Sequence, residues 1–326
     1  MTPCLRIAGH WALLALAALT FAADAQAQGD WPTRIVRIVS PLAPGGLSDT
    51  LARVLGQQLE ARWGVRFYVE NRAGGGGVIG SAHVAEQPPD GYTLLVSGIG
   101  SHVIAPVINA NVGFDPLKSF THIAYLGGAP TVLVVNPATG IATLKEYIVY
   151  AQGKGELPFG SAGGGTHGHL IGELFAREAG LRLAHVPYRG AGAVMGDIVA
   201  GHVPSGFVTL STAGQHIRAG LARPLAVTSE ERVPQFPDIP TFRELGYREL
   251  VALTWFALAA PPDLPQSLVR ILNREAVAIM TSPEARKRLE VESVQVQNMT
   301  PEALTAFIAA ETVRWGPIAK SVSGRR

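Results

Sequence analysis

The sequence predicts an α/β protein built on parallel sheets with helices on both faces. Two patterns predict it. Short runs that alternate polar and apolar residues, or are rich in β-branched ones, are followed by stretches whose apolar residues recur at helical spacing. Three of these runs pass straight into a glycine-rich turn and then a helix, the local order of a β-α-β unit. Composition agrees: 47% of residues are hydrophobic and 16% charged, against ~25% charged in ordinary globular chains, so a compact core is expected and a disordered chain is not. At 326 residues the chain suggests two domains rather than one.

Arg34 to Val39 alternates as a strand; Leu51, Val54, Leu55 and Leu59 then mark a helix, and Val65 to Glu70 is again strand-like. The rhythm continues through strands at Tyr92 to Val96 and Thr131 to Val135, a helix from Thr166 to Ala179 closed by Gly180, and strands at Arg182 to Val186 and Leu225 to Thr228. The C-terminal stretch is helical. Ser282-Pro283-Glu284 and Thr300-Pro301-Glu302 each set a capping hydroxyl, a proline at the first helical position and an acid over the positive helix end.

The first 27 residues differ from the rest. Arg6 is followed by an almost wholly apolar run from Ile7 to Ala23, and Ala25-Gln26-Ala27 offers the small-x-small pattern of a cleavage site. Residues 1–27 are therefore expected to be a signal peptide, cleaved after Ala27. No later segment reaches the roughly 18 to 20 uninterrupted apolar residues of a membrane helix. The only cysteine, Cys4, precedes the apolar run, so the mature chain has no thiol for a disulfide, a metal site or a nucleophile. The formal net charge is +2 with no basic run, which argues against nucleic acid as a partner.

The three glycine turns are Ser40 to Asp49, Asn71 to Gly77 and Gly160 to Thr166. Glycine admits close backbone approach, and a helix start offers unpaired N–H groups and a positive dipole end, so each turn can seat an anion. Gly75, Gly77, Gly80 and Gly163, Gly165, Gly168 satisfy the G-x-G-x-x-G spacing. The next strands end in Val96-Ser97 and Val186-Pro187 rather than the acid that binds ribose, so no dinucleotide or other cofactor is expected. Ser48, Ser161 and Thr166 serve as N-caps or as donors to a carboxylate oxygen, and both roles stay open. Asp49 stabilises its helix end. Ser97, Ser101 and His102 follow a strand at its carboxyl end, where open α/β sheets place ligands. His167 and His169 stand two apart and face different ways, which excludes a metal pair; His169 is a structural donor or a ligand contact. No nucleophile, base and orienting acid assemble from neighbouring signals, so an enzyme is not expected.

Taken together the chain resembles the tripartite tricarboxylate transporter substrate-binding receptors, or Bug receptors. The landmarks are Pro44-Gly45-Gly46-Leu47-Ser48-Asp49, Val69-Glu70-Asn71-Arg72-Ala73-Gly74, Asp90-Gly91-Tyr92-Thr93-Leu94-Leu95, Phe159-Gly160-Ser161-Ala162-Gly163, His185-Val186-Pro187-Tyr188-Arg189-Gly190, Pro237 to Thr241, and Trp255 to Pro261. The resemblance implies a two-lobed type II periplasmic-binding-protein fold, with lobe one at 28–130 plus 253–326, lobe two at 131–252, and the hinge at strands near Val132 to Asn136 and Trp255 to Ala259. It implies a monomeric periplasmic receptor that closes over a small carboxylate and delivers it to the membrane components of such a transporter. The ligand role carries over to Gly45, Gly46, Leu47, Ser48 and Asp49, to Gly160, Ser161, Ala162, Gly163 and Thr166, and to Ser97, Ser101, His102 and His169. Pro204 and Val208 stand where the family commonly has acids, which disfavours a ligand carrying an ammonium group. The run Gly74 to Gly77 is longer than the family's usual one, which is expected to loosen that loop. Two other readings stay open on sequence: a ligand-bound partner of a membrane sensor, and an exported hydrolase using a loop serine with a base beside Ser48, Ser97 or Ser161.

Overall fold

The computed structural model describes residues 31–109, 111–291 and 293–323; the signal peptide expected at 1–27 lies outside them. Strand β1 (Val36–Ser40) is flanked by β2 (Phe67–Asn71) and β3 (Thr93–Gly98), all parallel. Helix α1 (Leu47–Trp63) joins β1 to β2 and buries Leu51, Val54, Leu55 and Leu59, one face at helical spacing. It stops where Gly64 turns left-handed at φ 65° and donates to the Glu60 carbonyl, a conformation that glycine adopts without strain. Helix α2 (Val78–Ala85) leads to β3, and the short α3 (Ala105–Ile108) follows it.

The second sheet repeats the plan. Strands β5 (Leu157–Ser161), β6 (Leu183–Pro187) and β7 (Ser205–Thr209) run parallel in the order β7, β5, β6. Helices α4 (Leu144–Lys154), α5 (His167–Glu178), α6 (Ala191–Ala200) and α7 (Leu210–Arg218) alternate with them, and β8 (Arg223–Val227) closes the set. The C-terminal helices are α8 (Gln266–Met280), α9 (Pro283–Val291) and α10 (Pro301–Ser323).

Two strands join the halves and pair antiparallel beside the parallel strands that the rhythm predicts. Strand β4 (Thr121–Val135) starts ten residues before the run predicted at Thr131, and its partner β9 is Leu253–Ala260. From Thr121 to Pro130, β4 pairs antiparallel with β9, which also pairs antiparallel with β3. From Thr131 to Val135 it pairs antiparallel with β7, and from Val132 with β8. One continuous strand thus serves both sheets, changing neighbours between Pro130 and Thr131. Its first half reads as Ile-Ala-Tyr-Leu-Gly-Gly-Ala-Pro, without alternation, because nearly every residue is buried and the register shifts twice. The chain crosses again at β9, and Thr228 ties the crossings together: its backbone N–H donates to the Thr131 carbonyl, and its hydroxyl donates to the Ala252 carbonyl and accepts from the Thr131 N–H.

Separate cores lie on the two sheets. One gathers Leu51, Leu55, Leu258 and Leu272, the other Val194, Ile198, Val208 and Leu210. A third spans both, where α10 packs on the turn after β3 and on α5.

Candidate functional site

Four helices start on the wall of one small cavity of about 50 Å³ between the halves. Gly46 and Leu47 bring the start of α1, Ala162 and Thr166 that of α5, Gly190 and Ala191 that of α6, and Thr209 that of α7. No side chain caps α1, α6 or α7, so N–H groups of their first turns remain available to a ligand. Only α5 is capped, by the Thr166 hydroxyl accepting from the His169 N–H. The remaining wall is Thr131, Thr254, His167 and apolar groups such as Phe207, Val208 and Phe256; no Asp, Glu, Lys or Arg is among the lining residues. Several helix dipoles and amide donors converging on a space without fixed charge suit one negatively charged guest.

The halves touch around this cavity. A Cβ on Gly100 would stand 3.4 Å from the Gly165 carbonyl oxygen, and one on Gly190 would stand 3.0 Å from the Ala43 Cβ. The four-glycine turn takes part in this contact. All four residues have positive φ, and Gly76 lies against the Gly164 carbonyl, so the long run packs the lobes together instead of forming a loose loop.

The sequence model of the tripartite tricarboxylate transporter family receptor matches residues 51–323. The chain belongs to that receptor family. Protein BugT of Bordetella pertussis is 32% identical over 327 residues, covering 100% of this chain and 99% of the relative. Among solved structures, R. palustris Rpa4515 with adipate shares 31% identity at a TM-score of 0.87 over 90% of this chain and 99% of the other. MatC from Rhodopseudomonas palustris with bound malate shares 28% at 0.84, over 89% and 100%. The fold is that of two-lobed periplasmic binding proteins, and the chain is a solute-binding receptor, not an enzyme.

All the sequence-predicted residues but His169 fall in three positions. Gly46, Leu47, Ala162 and Thr166 line the cavity. Behind them stand residues that shape the two loops. The Asp49 carboxylate accepts from the Gly45 N–H at 3.2 Å, from Asn71 at 3.0 Å and from Arg53 Nε and Nη2, each at 3.0 Å. Burial by itself would raise this carboxyl's pKa, but those hydrogen bonds and the Arg53 charge outweigh it and hold the group below its usual value. Ser48 is no N-cap; it sits buried in the first turn and accepts from the Ser40 hydroxyl at 3.1 Å. Gly160 has no room for a Cβ, which would meet a Val194 methyl at 2.7 Å, and Gly163 adopts φ 142° against the Tyr188 carbonyl.

Ser161 is likewise not a cap. Its hydroxyl lies 2.7 Å from His185 Nε2 and 3.1 Å from the Gly163 carbonyl, fully buried. A serine beside an imidazole is the pair a hydrolase would need, but this Oγ has no exposed surface at which a substrate could meet it. His169 leaves the small cavity altogether. Its Nδ1 accepts from the Gly165 N–H, its ring stacks on His185 at 3.9 Å, and both rings line a wider depression with Glu173.

The third position is inside the core. Ser97 donates to the Ala257 carbonyl of β9, and Ser101 to the Gly98 carbonyl. His102 has no exposed surface; its ring lies 4.6 Å from that of Phe120 and 5.8 Å from that of Phe114. Ser97 lies within β3 opposite Ala257, and the turn Gly100–Ile104, which coils just after β3, carries Ser101 and His102, both buried. None of the three lines the cavity.

Sequence reasoning missed Thr131, His167, Thr209 and Thr254. Thr209 ends β7 and opens α7 with no glycine between them, so the glycine signal could not find it. Its one signal was position, at the end of a strand and before a helical pattern.

Proposed function

We propose that this receptor encloses a small carboxylate between lobe one (28–130 plus 253–326) and lobe two (131–252), and hands it to the membrane components of a tripartite tricarboxylate-type transporter. It works as a monomer in the periplasm, exported by its N-terminal segment. The observation that carries the ligand class is the convergence of four helix starts, three without a side-chain cap, on a cavity with no charged side chain. Dehydrating a carboxylate is costly unless donors replace its water, and preorganised amides aimed from both lobes do so. Gly45, Ser48, Asp49, Gly160, Ser161 and Gly163 hold the loops in shape, while Gly46, Leu47, Ala162 and Thr166 face the ligand. Adipate and malate, carried by the two Rhodopseudomonas structures, are both carboxylates.

Closure follows from the same contacts. A ligand that bonds to both lobes favours the closed arrangement by the free energy of those bonds. Without an acid on its wall, the cavity offers no partner for an ammonium group. Among described residues no helix is long and apolar enough to cross a membrane.

Thermal-shift screening of the purified protein against mono-, di- and tricarboxylates tests the reading, since a ligand that binds only the folded state raises its Tm. At least one acid should give a saturable rise. Flat responses to every acid, with a neutral or cationic compound stabilising instead, would refute it.

A further inference from the structure

Three uncharged polar groups meet on the cavity wall where the crossing strands pass. Thr131 comes from β4, Thr254 from β9 and His167 from the first turn of α5. Thr254 Oγ1 is 2.8 Å from His167 Nδ1 and 3.1 Å from Thr131 Oγ1, which in turn is 3.3 Å from the same nitrogen. All three line the cavity, with exposures of 1%, 9% and 1% for Thr131, Thr254 and His167. Burial, aided by the Arg314 charge, pushes the His167 ring down to about 3, so it is neutral at any physiological pH.

Counting protons gives the triangle a direction. His167 Nε2 is buried and has no partner among the described residues. An orphaned buried N–H is rarer than an unused lone pair, so the ring proton is assigned to Nδ1. Nδ1 then donates to Thr254 Oγ1, and the Thr131 and Thr254 hydroxyls share one hydrogen bond in which either can be the donor. One hydroxyl hydrogen is left for the cavity. Of the four acceptor sites on the two oxygens, two are used and two remain. The wall therefore presents a donor beside two acceptors and no charge. An alcoholic hydroxyl, which donates and accepts at once, satisfies it. A methylene leaves that hydroxyl hydrogen unpaired, which is costly in a buried site. A second carboxylate finds one donor but faces lone pairs with no counter-charge.

We infer that Thr131, Thr254 and His167 form a hydroxyl-recognition subsite, so that the ligand is a short hydroxycarboxylic acid with its carboxylate at the helix starts and its hydroxyl at this wall. The inference rests on the carboxylate reading above.

Matched pairs test it by titration calorimetry: glycolate against acetate, each enantiomer of lactate against propionate, and each enantiomer of malate against succinate. The hydroxy acid should bind at least tenfold more tightly than its deoxy partner in one or more pairs. In Thr254→Val and Thr131→Val, which keep the side-chain shape, that ratio should fall towards one, with circular dichroism checking the fold. Equal affinities within every pair of the wild-type protein would overturn the subsite while leaving a carboxylate receptor in place. A ratio that survives in both valine variants would overturn it too. If no acid of either series binds, the subsite and the carboxylate reading fall together.

Discussion

Gly76, in the turn after β2, lies so close to Gly164, in the turn after β5, that a Cβ on it would stand 2.5 Å from the Gly164 carbonyl oxygen. The lobes meet there backbone to backbone, and the φ of 66° at Gly76 adds strain of about 1 kcal/mol for any L side chain. Gly76→Ala should therefore weaken ligand binding at least tenfold by holding the lobes apart. Gly113→Ala is the control, with φ 81° and open space around it, and should bind as the parent does. Calorimetry reads affinity and small-angle scattering reads the lobe separation; tight binding by the Gly76 variant would show that this contact does not govern closure.

Asp49 braces the first loop, and its carboxyl is held below the ordinary 3.8. A depressed folded-state value means stability that is present above 3.8 and lost as pH falls through the lower native value. Asp49→Asn keeps the shape and removes the charge that Arg53, Asn71 and the Gly45 N–H bind. The variant should be less stable by about 1–3 kcal/mol at pH 7. The gap from wild type should narrow below about pH 4, and a gap independent of pH would contradict the brace. Urea titrations from pH 7 to pH 2.5 measure it.

Buried histidines make the receptor acid-sensitive at a higher pH. Burial, partly offset by a bond with the Pro116 carbonyl, pushes His122 down to about 4, and His167 stands at about 3. Unfolded rings titrate near 6.5, so below that value the unfolded chain binds more protons and stability falls with pH until the native values are reached. Each ring contributes a slope of roughly 1.4 kcal/mol per pH unit between those limits. Denaturant unfolding from pH 7 to pH 4.5 should show the loss, and His122→Gln should reduce the slope by one ring's share.

Val208 lies on the cavity wall, 2% exposed. Val208→Asp puts a carboxylate beside the bound anion and should lower affinity for a simple carboxylate at least tenfold. The same change supplies a partner for an ammonium group, so an amino acid such as aspartate should bind the variant better than the wild type. Calorimetry with succinate and aspartate on both proteins measures the exchange. Parallel losses for the two ligands would mean that Val208 serves only packing.

The β-α rhythm was legible because the periods of strands and helices are local: Leu51, Val54, Leu55 and Leu59 announce α1 wherever its partners lie. The turns at Gly46 and Ala162, which line the cavity, were legible for a similar reason, since a glycine run between a strand and a helix start is a local pattern. Position 208 could be singled out because a residue type departs there from the family's pattern. The antiparallel half of β4 was hidden, because a strand buried on both faces has no alternation.

Distance along the chain concealed the rest. Thr131 and Thr254 are 123 positions apart, and neither differs on paper from any other threonine. Their meeting with His167 follows from two strands crossing between lobes and from Trp315 of α10 set edge-on to the ring. Ser97, Ser101 and His102 looked well placed at a strand end, yet Ser97 is taken up by the β9 carbonyl beside it and the coiled turn buries Ser101 and His102. The order of residues determined which segments can offer bare amides, because that depends on neighbours within a few positions. Packing decided which of those segments face one another, because burial energy is shared among groups that only the folded chain brings together.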